Sequence, residues 1–399
     1  MSAKRALPPL IATQLFLHAC MAGARMAAPL WALQHGYTPM AVGLLLALFA
    51  ASPIALAWPA GKLADRRGYH RPVRIATGMC LLGGVVAVGS SFLSGWWAYA
   101  GLCVCGSLVG GGANVGLIAV QRTAGKLASD AVERKQIFSW IGLAPALSNV
   151  VGPLVAGFAI DHAGYAIAFA LLSLMPLAAI VCAHRVPHEV VGPHAATSGA
   201  GGFRDAWRLL NSPAMRRLLF VNWLISTSWD MHSFLVPVLG HERALSASAI
   251  GSILGAFALA VALVRLLIPT LAHRLSEGQV LMGSMLIVAA VFAIYPFAHV
   301  AAAMGACAVV LGLALGCVQP MIMSTLHHIT PEHRHGQSIA LRSMAINLSS
   351  AVMPLSFGVL GTALGASGLF WLMGAAVGAG SGLARKLGQG APARESAFG

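Results

Sequence analysis

The stretch 61–73, GKLADRRGYHRPV, decides the fold of this chain. It places an acid, several bases and two glycines between two uncharged apolar segments. Each segment is about twenty residues long, the length that an α-helix needs to cross a bilayer. The stretch therefore predicts a charged hinge loop between the second and third crossings of a membrane protein.

Composition gives the same protein class. Of the 399 residues, 58% are hydrophobic and only 9% are charged, and the mean hydropathy is +0.79. A soluble domain carries about 25% charged residues. The apolar runs recur at the length of a membrane-crossing helix and lack the alternation of about ten residues typical of barrel strands. We expect a helical protein that crosses the membrane many times.

Charged and turn-rich breaks separate two sets of six apolar segments. We predict an all-α fold with twelve transmembrane helices in two pseudo-symmetric six-helix bundles, residues 1–185 and 214–399. The linker at 186–213 is predicted to contain a short amphipathic helix at the membrane surface. The predicted crossings are 9–33, 40–60, 74–93, 97–120, 137–160, 164–183, 216–238, 247–268, 279–298, 301–324, 338–361 and 366–384.

The basic residues predict the orientation. Nearly all of the 25 Lys and Arg residues fall on the loops of one side, and such residues stay on the cytoplasmic side. We expect a multi-pass inner-membrane protein with both termini in the cytoplasm. Because the bases are scattered over short loops, the net charge of +14 is a topology signal and not a nucleic-acid surface.

The two halves carry a weak internal repeat, which is typical of transporters. SNVVGPLVAG at 148–157 and SSAVMPLSFG at 349–358 share Ser, Pro and Gly at a constant offset of 201 residues. A second echo of the opening stretch, PTLAHRLSEGQV at 269–280, lies at an offset near 208 and lacks the acid. Both matches support the division into six and six segments.

The stretch 61–73 resembles the signature G-x-L-a-D-r-x-G-r-[RK] that the major facilitator superfamily carries between its second and third helices. The resemblance covers essentially the whole chain and implies a secondary transporter that works by alternating access. It implies that Asp65 is a gate residue that pairs near the partner half in the outward-open state. The alternative is that the arginines of the stretch only hold the topology. The residues that fit the signature are Gly61, Leu63, Asp65, Arg66, Gly68 and Arg71.

Two further family signatures bear on the direction of transport. Gly152 and Pro153 resemble the glycine-proline signature of the family's antiporters, which implies gate residues and an export direction closest to bacterial efflux-type members. The base that the family's helix 4 signature places near Gly106 is absent. This absence separates the chain from the best-known proton-driven drug exporters.

Asp230 is the only acid well within a predicted crossing, and Arg25 lies at a similar depth in the first. An ionisable residue inside the membrane is costly and tends to face a cavity or a partner. We predict that the two residues face each other, with Asp230 as the proton-coupling group and with His18 or His232 sharing proton transfer. The alternative is a static ion pair that neutralises two buried charges.

Polar residues at helical spacing predict the cargo site. Those of the first and seventh crossings each lie along one face, so we expect them to line a central cavity. The alternative is that they bind helix to helix. The predicted cargo contacts are Arg25, Gln14, His18, Asn114, Asn149, Asn222, Ser226, Trp229, Gln319 and Asn347.

We expect proton-coupled export of a small organic molecule, with proton-coupled uptake of an organic anion such as a carboxylate as the alternative. No Ser, Cys or metal-ligand constellation has the spacing that an enzyme needs. The expected partners are a small-molecule substrate, protons and the lipid bilayer, with no nucleic acid, metal or cofactor. We expect the protein to function as a monomer.

Overall fold

The structure is a computed structural model that describes residues 3–127, 131–187, 209–271, 276–330 and 335–387. Within these ranges the secondary structure is helical, with no strand. Most of the predicted linker at 186–213, including its amphipathic helix, lies outside the described residues. The described end of the linker is a short 3-10 turn, Leu209–Asn211.

The described residues form twelve helices, which we number along the chain. Two of them are parts of the helical stretch Ala131–His184, which is interrupted at Gly164, and two are parts of His335–Arg385, which is interrupted at Gly365. Helix α10 consists of Ala301–Gly316 and Val318–Ile329, which meet at Cys317. The helices are α1 (Ala3–Gln34), α2 (Pro39–Arg67), α3 (His70–Ser90), α4 (Gly95–Leu127), α5 (131–163), α6 (165–184), α7 (Pro213–Glu242), α8 (Ala247–Leu271), α9 (Glu277–Ile294), α10 (Ala301–Ile329), α11 (335–364) and α12 (366–385).

The chain reverses direction at Gly164. This glycine has φ 80° and ψ 175°, a combination that is essentially restricted to glycine. Gly152 and Leu172 would lie about 30 Å apart on a straight helix. Both instead lie beside Gly23 of α1, so α5 and α6 run side by side in opposite directions.

The second interrupted stretch has the same break, 201 residues later. Gly365 has φ 67° and ψ 171°. Ser349, which precedes it, bonds Thr227 of α7, and Gly380, which follows it, packs on Leu224 of the same helix. Helices α11 and α12 are therefore also antiparallel neighbours.

The hinge loop predicted at 61–73 is much shorter than expected. Helix α2 continues to Arg67, and only Gly68 and Tyr69 separate it from α3. The basic side chains Arg66 and Arg67 suit the negative end of a helix dipole, so the helix extends beyond its apolar part. Gly68 ends it at φ 68°, a conformation that favours glycine, and makes the tight turn into α3.

The surface is that of a multi-pass membrane protein. In the described ranges, nine helical stretches are long and apolar enough to cross a membrane, and two of these are the reversing stretches. Large apolar side chains also lie on the surface, where water would disfavour them and lipid favours them. The most exposed, each 70% exposed or more, are Trp58, Phe92, Trp96 and Trp97.

The first and second halves of the chain meet at one end of the molecule, which we call the closed end. Gly251 at the start of α8 packs on the carbonyl of Pro153 in α5, and Gly43 at the start of α2 packs on the carbonyl of Pro354 in α11. A Cβ at either glycine would collide with the backbone of the other half. The two contacts are related by the offsets 201 and 208, so the predicted repeat is also a repeat of contacts.

Candidate functional site

A cavity of about 270 Å³ lies below the closed end, where Arg25 of the first half faces lining residues that all belong to the second half. Ser350 of its wall is one helical turn from Pro354, whose carbonyl belongs to the closed end. The wall is formed by α1, α7, α8, α10 and α11. The lining residues are Arg25, Asn222, Ile225, Ser226, Trp229, Asp230, Arg265, Leu315, Val318, Gln319, Ile346 and Ser350.

The structure brings Arg25 and Asp230 together, as predicted. Nη2 of Arg25 lies 3.5 Å from Oδ1 of Asp230, and the hydroxyl of Ser350 donates to Oδ2 at 2.8 Å. The Asp230 side chain is 6% exposed and the Arg25 side chain 27% exposed. Because α1 and α7 belong to different halves of the chain, this ion pair also ties the halves to each other.

Two more arginines belong to the cavity, and neither is among the predicted cargo contacts. Arg265 lines the wall, and its Nε is buried with no hydrogen-bond partner. Arg342 lies behind the wall, 7% exposed, and donates to the side-chain oxygens of Asn222, at 3.2 Å, and Gln319. The positive charge of Arg342 therefore acts on the cavity through the two amide groups, which separate it from the open space.

The length of α11 explains the depth of Arg342. Arg342 lies about one turn after the start of the predicted crossing 338–361, a position from which its side chain could extend to the membrane surface. In the structure α11 begins at His335, about two turns before Arg342. The arginine therefore lies deeper in the helix, where its guanidinium needs polar partners inside the protein.

A smaller cavity of about 60 Å³ adjoins the first and shares Arg25 and Trp229 with it. Asn149, a predicted cargo contact, and Ser233, on the predicted polar face of the seventh crossing, line this second space together with Pro153 of the closed end. The amide of Asn149 donates to the carbonyl of Pro145, so its oxygen remains available.

Five predicted site residues do not line either cavity. Gln14 is completely buried, and the amide of Asn114 donates to the carbonyl of Pro53. His232 is also completely buried, where it packs against Phe257 and lies 3.4 Å from the Tyr295 hydroxyl. His18 and Asn347 complete this group. The structure therefore places both candidate histidines away from the cavity wall, and Asp230 remains on it.

The predicted gate residues differ in their surroundings. Asp65 accepts a hydrogen bond from Nε of Arg122 at 3.0 Å, so its visible partner is in α4 of its own half. A Cβ at Gly61 would meet nothing within 4 Å, so no helix of the described residues packs closely there in this conformation. Gly152 packs tightly on Ala19 and Gly23 of α1. Arg66 and Arg71 are exposed.

The fold resembles solved transporter structures. One is a POT family transporter in complex with 5-aminolevulinic acid, with 14% identity, coverage of 96% of each chain and a TM-score of 0.72. Another is a bacterial homolog of the human lysosomal transporter Spinster in an inward-facing, unoccupied conformation, with 12% identity, coverage of 97% of this chain and 98% of the other, and a TM-score of 0.74. At these identities the likeness concerns the fold alone.

A search of curated protein sequences finds no significant match. The family model of the Major Facilitator Superfamily matches residues 10–225 and 218–396, which together cover nearly the whole chain. The helical membrane fold and the cavity between the two halves agree with this match. The chain belongs to the Major Facilitator Superfamily and is a transporter, not an enzyme.

Proposed function

We propose that this protein transports a small organic anion together with a proton, as in the proton-coupled uptake given above as the alternative to export. One observation carries the proposal. Three arginines, Arg25, Arg265 and Arg342, surround the cavity, and Asp230 is the one carboxylate among its lining residues. Uncompensated positive charge is costly inside a membrane protein, and an anionic cargo would neutralise it.

The Arg25–Asp230 pair supplies a reason for coupling. A bound anion competes with the Asp230 carboxylate for the Arg25 guanidinium. Protonation of Asp230 removes this competitor, so the proton and the anion favour each other's binding, and by linkage the effect is reciprocal. Cargo and proton that bind together are carried together, which is symport.

The same pair connects binding to movement. The Arg25–Asp230 ion pair joins the two halves just below the closed end. A proton on Asp230 and an anion on Arg25 break this ion pair and so weaken the contact between the halves. Two six-helix bundles, 1–185 and 214–399, with twelve crossings in all, would rock about the cavity.

The distribution of basic residues gives the orientation of this conformation. With most bases cytoplasmic, the closed end is the outer end and the conformation faces inward. Asp65, which pairs with Arg122 of its own half, is then in its released state.

Export by antiport is the second candidate, and Gly152 with Pro153 favours it. These residues pack on α1 and on α8, so the antiporter-like signature lies at the junction that must move. In an antiporter the cargo would replace the proton at Asp230, which requires a cationic or strongly polar cargo. The excess of arginines over carboxylates in the cavity favours an anion and therefore symport.

The setting of the transporter completes the proposal. The scattered bases support an inner-membrane location with cytoplasmic termini. A cavity enclosed by one chain supports function as a monomer.

The test is proton movement in proteoliposomes that contain wild-type protein, Asp230→Asn or Arg25→Gln. Cationic, neutral and anionic candidate cargoes are added on one side, and the flux into protein-free liposomes is subtracted. We expect anions to evoke proton flux in the cargo's direction, and both variants to abolish it. Glu242→Gln is the matched control, because Glu242 is an exposed acid at the end of the same helix as Asp230.

Cationic cargo that moves against the proton would establish antiport and overturn the proposal. Anion transport that evokes no proton flux, with equal rates in wild type and Asp230→Asn, would reduce the ion pair to a structural role.

A further inference from the structure

A third and larger cavity lies beside the 270 Å³ cavity, which we call the charged cavity because Arg25, Asp230 and Arg265 line it. The larger cavity is an open space of about 490 Å³ formed by α5, α8 and α10, and Trp140 and Leu266 of its wall are more than half exposed. It shares two lining residues, Arg265 and Gln319, with the charged cavity. The two spaces are therefore neighbours across a boundary made of one guanidinium and one amide.

The chemistry of the two walls differs. Apart from the two shared residues, the larger cavity is lined by apolar or small residues with no ionisable group. The charged cavity has Arg25, Asp230 and several hydroxyl or amide groups. The apolar wall consists of Trp140, Gly142, Leu143, Ala146, Ala262, Leu266, Pro320 and Met323.

Arg265 is placed to hold a charge at the boundary. Its Nε is buried with no hydrogen-bond partner, and no carboxylate of the described residues forms an ion pair with it. A buried guanidinium nitrogen without a partner is costly, and an anionic group at the boundary would accept its hydrogen bond. A ligand held there by its charged end has the apolar cavity directly beside it.

We infer that the cargo is amphipathic: an anionic head group bound between Arg25 and Arg265, with an apolar tail or ring in the 490 Å³ cavity. This inference rests on the proposed function, since it needs an anionic head. It adds that most of the binding selectivity comes from the apolar part of the cargo. The contrasting possibility is a small hydrophilic anion that occupies the charged cavity alone.

The test uses straight-chain alkanesulfonates from ethanesulfonate to octanesulfonate. Their head group stays ionised at all working pH values, so only the tail varies. Binding is measured by calorimetry on wild-type protein in nanodiscs, with empty nanodiscs subtracted to remove partitioning into lipid. We expect affinity to rise about fourfold for each methylene buried, until the tail fills the cavity.

The variant Gly142→Leu locates the tail. A Cβ at Gly142 meets nothing within 4 Å, and a leucine side chain added there would take up part of the apolar cavity. We expect it to leave ethanesulfonate binding unchanged and to weaken octanesulfonate at least tenfold. Gly78→Leu is the control, because Gly78 also has open space around it and lies on the exposed side of α3.

The outcomes separate this inference from the proposed function. An affinity that does not change with chain length overturns the amphipathic cargo and leaves the anion transporter intact. A steep dependence that persists in Gly142→Leu also overturns it, because the tail then lies elsewhere. If no sulfonate or carboxylate binds, or if Arg25→Gln binds them as well as wild type, the proposed function fails and the inference fails with it.

Discussion

Asp161 at the end of α5 caps the start of α8, because its Oδ2 accepts the backbone N–H of Ser248 at 2.8 Å. Its Oδ1 accepts the N–H of Ala247 at 2.9 Å. A carboxylate at a helix N-terminus satisfies free N–H groups and interacts favourably with the helix dipole. Here the helix and its cap come from opposite halves of the chain. The pair therefore fastens the closed end.

We predict that Asp161→Asn opens the closed end more often. Asparagine has one acceptor oxygen and no charge. The contact between the two halves at the closed end is therefore weakened by about 1–2 kcal/mol, which shifts the ratio of open to closed molecules roughly tenfold. Hydrogen-exchange mass spectrometry should show faster exchange at the starts of α2 and α8 and at the ends of α5 and α11.

Thr362 supplies the control for this experiment. It occupies the position of Asp161 in the other half of the repeat, but its hydroxyl donates only to Val359 of its own helix. Thr362→Ala should leave exchange unchanged. Faster exchange of Asp161→Asn confined to residues 247–250 would mean that the cap holds only its own helix end and does not seal the molecule.

The Arg25–Asp230 pair should show energetic coupling in a double-mutant cycle. Arg25→Gln leaves a buried carboxylate without its cation, so we expect a lower Tm than in wild type. The double variant Arg25→Gln/Asp230→Asn should recover much of the loss, with a coupling energy of about 0.5–3 kcal/mol. The measurement is thermal unfolding of purified protein. Additive losses would mean that the 3.5 Å contact contributes nothing to stability.

Arg342 is predicted to act by positioning Asn222 and Gln319. Lysine keeps the charge but lacks the planar fork that reaches two amide oxygens. Arg342→Lys should therefore raise the half-saturating concentration of an anionic cargo about tenfold, with little change in the maximal proton flux. Arg342→Gln should have a larger effect, because it also removes the charge.

Arg243→Lys is the matched control for the positioning role. Arg243 likewise donates to two oxygens, the carbonyls of Pro296 and Ala298, but these lie in the connection between α9 and α10. An equal rise in half-saturation in both lysine variants would refute a specific role for Arg342 in cargo binding.

The close contact of Gly251 with the Pro153 carbonyl should limit turnover. A methyl group at this position collides with the backbone across the closed end, so Gly251→Ala should slow transport at least tenfold while expression is retained. The repeat predicts the same for Gly43→Ala, which meets Pro354. Gly283→Ala on α9 meets nothing within 4 Å and should transport normally, with up to about 1 kcal/mol gained from helix propensity. Normal transport by Gly251→Ala would show that turnover does not require close contact between Gly251 and the Pro153 carbonyl.

Much of the fold was predictable from the sequence, because hydropathy reports directly on which segments lie in lipid. The family, the helical class and the repeat at Pro153 and Pro354 were all predicted, and the repeat's contacts are now visible. The ends of helices were predicted less well. Charged residues end an apolar run without ending the helix, so α2 extends to Arg67 and the expected hinge loop shrinks to two residues.

The site was predictable in part. The pairing of Arg25 with Asp230 followed from equal depth and from the cost of isolated charge, and Asn222, Ser226, Trp229 and Gln319 do line the same cavity. Direction around a helix was the missing information. His232 is two residues from Asp230, which turns it about 200° away from the cavity and into the core beside Tyr295.

The glycine breaks at Gly164 and Gly365 have a consequence for biosynthesis. Each reversal takes place within one or two residues, so no loop separates α5 from α6 or α11 from α12. We therefore expect each pair of helices to enter the membrane as a ready-made hairpin and not one helix at a time. A bulky residue at either glycine would therefore impair membrane insertion during synthesis, before it could affect transport.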